Sequence, residues 1–243
     1  MESYMNRISN TGIVPVVKIL EKEDAYPLAK ALLNGGIDVI EVTYRSEHAT
    51  SAIQTISEQL PDMLVGAGTV LSVEQAKEAV EAGAKFIITP GFNTKVVQWC
   101  LDHDVEVYPG VSTASEVEMA LSMGLTQLKF FPAESSGGAK KLKDLSAPYA
   151  NVHFMPTGGI NTKNMHDYLS LPNVEAIGGS FMLPNDLVVA KDWDGIEALS
   201  RSAIKSLLDF QLIHVGINTN SPEESKQVTD TLCSLFHFTQ YTK

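Results

Sequence analysis

The 243-residue chain is 44% hydrophobic and 19% charged, a balance that supports one large core, and chains of about 250 residues commonly fold as a single barrel domain. Its 18 basic and 29 acidic residues give a net charge of −11, which disfavours nucleic acid and anionic membrane as partners. An anionic small substrate then needs a local cluster of cations or backbone donors.

No run approaches the roughly 18 to 20 apolar residues of a membrane span, and the N-terminal MESYMNRISN lacks the apolar centre of a signal peptide. The expectation is a cytoplasmic protein. Cys100 and Cys233 stand in unrelated segments without a CxxC pair, so they read as packing residues rather than as a disulfide or a thiolate zinc site.

From residue 13 to about residue 208, short β-branched runs alternate with helix-period stretches, the pattern of parallel strands joined by crossover helices. In chain order the strands are expected at 13–19, 38–42, 63–67, 86–89, 105–108, 127–130, 152–155 and 176–178. Between the first two, AYPLAKALLNGG repeats apolar residues every three or four positions and stops at Gly35 and Gly36; after the third, SVEQAKEAVEAGA has Ser72 as N-cap and Gly83 as its stop. Eight such units predict an α/β protein, a (β/α)8 TIM barrel over residues 1–209. An open doubly wound sheet is the alternative, because periodicity does not report closure. Beyond it, FQLIHVGINTNSPEESKQVTDTLCSLFHF predicts a short βα extension over 210–243.

In such a barrel the reacting groups lie at the C-terminal ends of the strands. Those positions hold Lys18; Glu41, Thr43 and Arg45; Gly66-Ala67-Gly68-Thr69; Thr89-Pro90-Gly91; Pro109-Gly110; Lys129; Thr157-Gly158-Gly159; and Gly178-Gly179-Ser180. In QLKFFPAE, alternation puts Leu128 and Phe130 on one face and Lys129 on the other, toward the interior. Desolvation favours the neutral amine of a buried lysine, the form that makes an imine with a ketone. A structural lysine, snorkelling to solvent or paired with Glu41, is the competing reading. Glu41 is a candidate general base, with a structural ion pair as its own alternative. Arg45 and Thr69 are suited to holding a carboxylate, and Lys18 is a weaker candidate contact. Gly158, Gly159, Gly179 and Ser180 follow the last two strands, where barrels often bind phosphate through backbone amides. The six histidines show no metal-ligand spacing, so no metal is expected.

The motifs IEVTYRS, VGAGTV, ITPGFN, YPGVSTASE, LKFFPAE, PTGGI and IGGSFMLP, in this order, resemble those of the 2-dehydro-3-deoxyphosphogluconate (KDPG) and 4-hydroxy-2-oxoglutarate (KHG) aldolase family over about residues 13–208. The resemblance implies a class I aldolase without cofactor, in which Lys129 forms the imine and Glu41 shuttles protons. Arg45, Thr69 and Pro90 would line the pyruvate end, Thr157 would border the substrate, and Gly158, Gly159 and Ser180 would receive a phosphate. It implies cleavage of 2-dehydro-3-deoxy-6-phosphogluconate to pyruvate and glyceraldehyde 3-phosphate, with KHG cleavage as main or second activity, and a homotrimer. The family's second-strand motif usually reads EVTLRT; here Tyr44 and Ser46 replace Leu and Thr. A reading from another class is a non-catalytic, phosphometabolite-binding regulator. The tail resembles the opening βα unit of a glyoxalase-like (vicinal oxygen chelate) module, in which His214 would be a candidate ligand; a docked tail or a truncated remnant that binds no metal is the expectation.

Overall fold

The computed structural model describes residues 4–209 and 221–236, and the chain divides into two units, Met1–Leu208 and Asp209–Lys243. The first unit runs α1 (Tyr4–Thr11), β1 (Ile13–Val17), α2 (Ala25–Asn34), β2 (Val39–Thr43), α3 (Ala49–Gln59), β3 (Leu64–Gly68), α4 (Val73–Glu81), β4 (Phe86–Ile88), α5 (Thr94–Asp102), β5 (Glu106–Tyr108), β6 (Gly110–Val111), α6 (Ala114–Ser122), β7 (Gln127–Phe130), α7 (Gly138–Ser146), β8 (His153–Pro156), α8 (Met165–Leu169), β9 (Ile177–Gly179), α9 (Asn185–Ala190) and α10 (Trp193–Leu208). In the second unit α11 spans Pro222–Phe236. The strand-like run at 210–217 and His214 lie outside the described residues.

The strands form one sheet in the order β5-β4-β3-β2-β1-β9 and another in the order β6-β7-β8, with every pair parallel. Only Pro109 separates β5 from β6. Proline has no N–H to give a ladder, so β5 ends at Tyr108, where the expected fifth strand ends, and the pairing of Gly110–Val111 with β7 as β6 was not anticipated. The Pro109 carbonyl still accepts from Lys129 N at 3.0 Å. At the other side, isolated parallel bridges Phe154↔Val174 and Thr157↔Gly178 link the β8 and β9 regions.

The fold is thus α/β, with parallel strands curled about a shared interior. Val14, Val39, Leu64, Phe86, Ile88, Tyr108, Met155 and Ala176, drawn from both sheets or their edges, form one inner cluster. A second, larger cluster lies between the strands and the helices. Local signals set the helix ends as expected at α4: Gln75 N donates to Ser72 Oγ at 3.2 Å, and Gly83 takes φ +108°. At α2 the two glycines divide the work. Gly36 carries the positive φ of +93°, whereas a Cβ on Gly35 would lie 2.3 Å from Ser200 Cβ on α10.

The helix α1 was not foreseen. It inserts Met5 and Ile8 into the inner cluster at the N-terminal end of the strands, and its flank is tied by Arg7 Nε to Asp38 Oδ2 at 2.9 Å and by Tyr4 N to Glu106 Oε1 at 3.0 Å. Ile8 has no exposed surface. Ile8→Ala is therefore expected to cost about 2–5 kcal/mol, the usual penalty for a large-to-small change in a packed core. Urea unfolding should show the loss as a lower midpoint with an unchanged slope.

Candidate active site

Alternation along β2 sends Ile40 and Val42 to the helix side and Val39, Glu41 and Thr43 inward. On β7, Leu128 and Phe130 pack on the helix side and leave Lys129 facing the interior. Lys129 is 4% exposed and Glu41 is fully buried. Across the interior, Lys129 Nζ lies 3.1 Å from Glu41 Oε1 and 3.3 Å from Oε2. A lysine snorkelling to solvent is excluded by this burial. The pairing with Glu41 is real, and it is also the geometry a proton transfer between the two groups needs.

Space for the pair comes from β3. A Cβ on Gly68 would lie 2.0 Å from Glu41 Oε1, and one on Gly66 would lie 2.0 Å from the Phe86 ring. These glycines are gaps in the wall, filled by the carboxylate and the ring. Lys129 Nζ also sits 5.3 Å from the centroid of Phe131, within cation–π range when protonated. Phe131 had no assigned role from sequence, although the two-residue period that turns Lys129 inward carries on to it.

At the rim, the buried Thr43 Oγ1 donates to Val17 O at 2.8 Å and accepts from Arg45 Nε at 3.1 Å. Arg45, Lys18, Ser180 and Asn185 line one cavity of about 210 Å³ over an apolar floor that includes Val17 and Leu28, and its lining holds no carboxylate. Asn185 had no signal in the sequence that set it apart from a helix start. Thr157 is 4% exposed, its Oγ1 has no hydrogen-bond partner, and a Cβ on Gly178 would lie 2.2 Å from that atom. Next to it Gly158 and Gly159 take φ +105° and +81°, the left-handed region glycine enters without strain. Gly179 is buried and Ser180 exposed. Thr69 is held at φ +55°, and Pro90 lines a separate groove with Leu71, Thr89 and Phe92. The structure thus gathers Lys18, Arg45 and Ser180 about one cavity, and Pro90 elsewhere.

Tyr44 and Ser46, which depart from the usual motif, lie behind the strand: Tyr44 Oη is 3.0 Å from Thr50 Oγ1, and Ser46 Oγ is buried without a partner. Burial pushes the Cys100 thiol up to about 12, so it holds no thiolate near neutral pH. Among the described residues no group of three or more His, Cys, Asp or Glu is arranged to hold a metal ion, and no helix is long and apolar enough to cross a membrane.

The family model for KDPG and KHG aldolase matches residues 4–199. The chain belongs to this aldolase family. It is 44% identical over 205 residues to the 2-dehydro-3-deoxy-phosphogluconate aldolase of Treponema pallidum, covering 84% of this chain and 98% of that one. It is also 44% identical over 199 residues to the KHG/KDPG aldolase of Escherichia coli K12, covering 82% and 93%. Among solved structures it resembles the KDPG aldolase of Legionella pneumophila, with pyruvate captured at low pH as a covalent carbinolamine intermediate, at TM-score 0.80 and 39% identity over 84% of this chain and 99% of that one. The KDPG aldolase of Zymomonas mobilis ATCC 29191 is 36% identical at TM-score 0.76, covering 82% and 95%.

Proposed function

We propose that this chain is a class I aldolase that cleaves 2-dehydro-3-deoxy-6-phosphogluconate to pyruvate and glyceraldehyde 3-phosphate. The observation that carries the reading is the buried Lys129–Glu41 pair, 3.1 Å apart, in a chain of this family. Glu41 takes a proton from the ammonium, and the neutral amine attacks the C2 ketone to give a carbinolamine. Glu41 hands that proton to the carbinolamine hydroxyl, which leaves as water, so the carboxylate is free again and an iminium remains as the electron sink. The C4 hydroxyl then gives up its proton to Glu41, the C3–C4 bond breaks, and its electrons pass into the iminium to form the enamine of pyruvate. The aldehyde phosphate leaves, Glu41 returns a proton to C3, and water releases pyruvate from Lys129.

In this reading Arg45 holds the keto acid carboxylate, Thr69 and Pro90 line the pyruvate end, and Thr157 borders the substrate carbons. Gly158, Gly159, Gly179 and Ser180 receive the phosphate, with Lys18 beside it. The acid-free cavity shared by Lys18, Arg45 and Ser180 supports an anionic ligand in a protein of net charge −11. Cleavage of 4-hydroxy-2-oxoglutarate to pyruvate and glyoxylate uses the same chemistry without phosphate, and the E. coli relative's name supports it as a second activity. We further read the two sheets, bridged at Pro109 and at Thr157–Gly178, as one closed (β/α)8 barrel. Residues 1–209 then form the catalytic domain, with 210–243 an appended extension. The working enzyme is taken as a cytoplasmic homotrimer.

An assay of pyruvate release from the gluconate-derived phosphate, its galactonate epimer and 4-hydroxy-2-oxoglutarate tests the proposal. The first should give the highest kcat/KM; binding of the phosphorylated acids without turnover would instead support a regulatory protein. Ser180→Ala should raise KM for the phosphorylated substrate by about three- to tenfold, the worth of one ordinary hydrogen bond, and leave the unphosphorylated one unchanged. Equal effects on both would remove Ser180 from the phosphate site.

A further inference from the structure

Thr43 is fully buried, yet both functions of its hydroxyl are spent on the rim of the site. Its proton goes to Val17 O at 2.8 Å, in the last residue of β1, and its oxygen accepts from Arg45 Nε at 3.1 Å. Arg45 itself is exposed, and an exposed arginine samples many rotamers unless something fixes it. The carbonyl fixes the hydroxyl, which can then offer Nε only its lone pair. The oxygen is therefore aligned as an acceptor before any substrate arrives. The Nε edge of the guanidinium is thereby occupied, and the Nη1/Nη2 end is the pair left for two parallel hydrogen bonds to a carboxylate.

We infer that Thr43 is a positioning residue that orients Arg45 so that the keto acid carboxylate is bound end-on by Nη1 and Nη2. The inference rests on the proposed role of Arg45. Thr43 touches no reacting atom and acts only through the arginine, so its loss belongs in substrate binding rather than in the chemical step. Valine matches threonine in shape and lacks the hydroxyl; serine keeps the hydroxyl and lacks the methyl. The pair separates orientation from packing.

The test is solvent deuterium exchange into the methyl group of pyruvate, followed by NMR, which reads the keto acid half of the reaction without an aldehyde. It is run on the full chain for wild type, Thr43→Val, Thr43→Ser, Arg45→Ala and the Thr43→Val/Arg45→Ala double variant, with melting temperatures alongside. Thr43→Val should raise the KM for pyruvate about tenfold, the size of a hydrogen bond to a charged group, with kcat changed less than about threefold. Thr43→Ser should restore KM to within about threefold of wild type. In the Arg45→Ala background, Thr43→Val should add less than about twofold, because residues acting as one unit are not additive.

An unchanged KM in Thr43→Val, multiplying effects in the double variant, or a serine variant as impaired as valine would each overturn the inference while leaving the aldolase reading intact. An Arg45→Ala variant with wild-type KM removes both the arginine's assigned role and the inference built on it. No exchange by wild type overturns the aldolase reading itself and the inference with it.

Discussion

Replacing Lys129 by methionine or arginine is expected to lower kcat by about 10⁴-fold or more, since neither side chain can form an imine and covalent catalysis has no substitute nucleophile at this place. The two variants separate chemistry from folding. Methionine leaves Glu41 buried and uncompensated, which costs about 3–5 kcal/mol when a buried pair loses one member; arginine keeps the charge at the price of crowding. Both should be inactive, and only the methionine variant should recover stability at a pH low enough to protonate the carboxylate. Borohydride reduction in the presence of pyruvate should give wild type one pyruvyl adduct, located on the Lys129 peptide by mass spectrometry, and should give neither variant any. An adduct on Lys18 or another lysine, or wild-type turnover in the arginine variant, would remove Lys129 from the mechanism.

Lys129 was legible because its signal is local. A single cation flanked by Leu128 and Phe130 in a strand can satisfy both neighbours only by facing away from the helices, and the interior is what lies there. Ser72 was legible for the same reason, since a cap acts three residues along the chain. The helix α1 was not. Its segment YMNRISNT places only Met5, Ile8 and Thr11 in buried positions, too few to mark a helix before the inner cluster that receives them is known. The glycines at 66, 68 and 178 were visible as strand-end residues, but their reason lies on the neighbouring strands, in Phe86, Glu41 and Thr157. No local pattern reports a contact made 20 or more residues away. The same limit hid the grouping of Arg45 with Lys18 and Ser180 around one cavity, which depends on how β1, β2 and the segment after β9 are brought together.

Glu41→Gln is expected to lower kcat by about 10²- to 10⁴-fold, the range for loss of a positioned acid–base group, and the manner of the loss distinguishes the two meanings of the Lys129–Glu41 pair. The amide occupies nearly the same volume in the notch left by Gly68, so packing is kept while proton transfer is not. A purely structural partner would give a variant that melts earlier, by the cost of an unpaired buried lysine, with normal kcat in whatever fraction remains folded. A proton shuttle predicts instead that borohydride still traps pyruvate on Lys129, slowly, while exchange of the pyruvate methyl protons and carbon–carbon cleavage fall together, because both pass through the same transfer at C3 or the C4 hydroxyl. Gly68→Ala supplies the complementary perturbation. Its methyl would fall 2.0 Å from Glu41 Oε1, so the carboxylate survives chemically but is driven from its place; overpacking of this kind costs about 1–3 kcal/mol. If position matters as much as presence, Gly68→Ala should lose exchange and cleavage in the same proportion as Glu41→Gln does. Normal methyl exchange in the glutamine variant at a temperature where it is folded would leave Glu41 as a counter-ion alone.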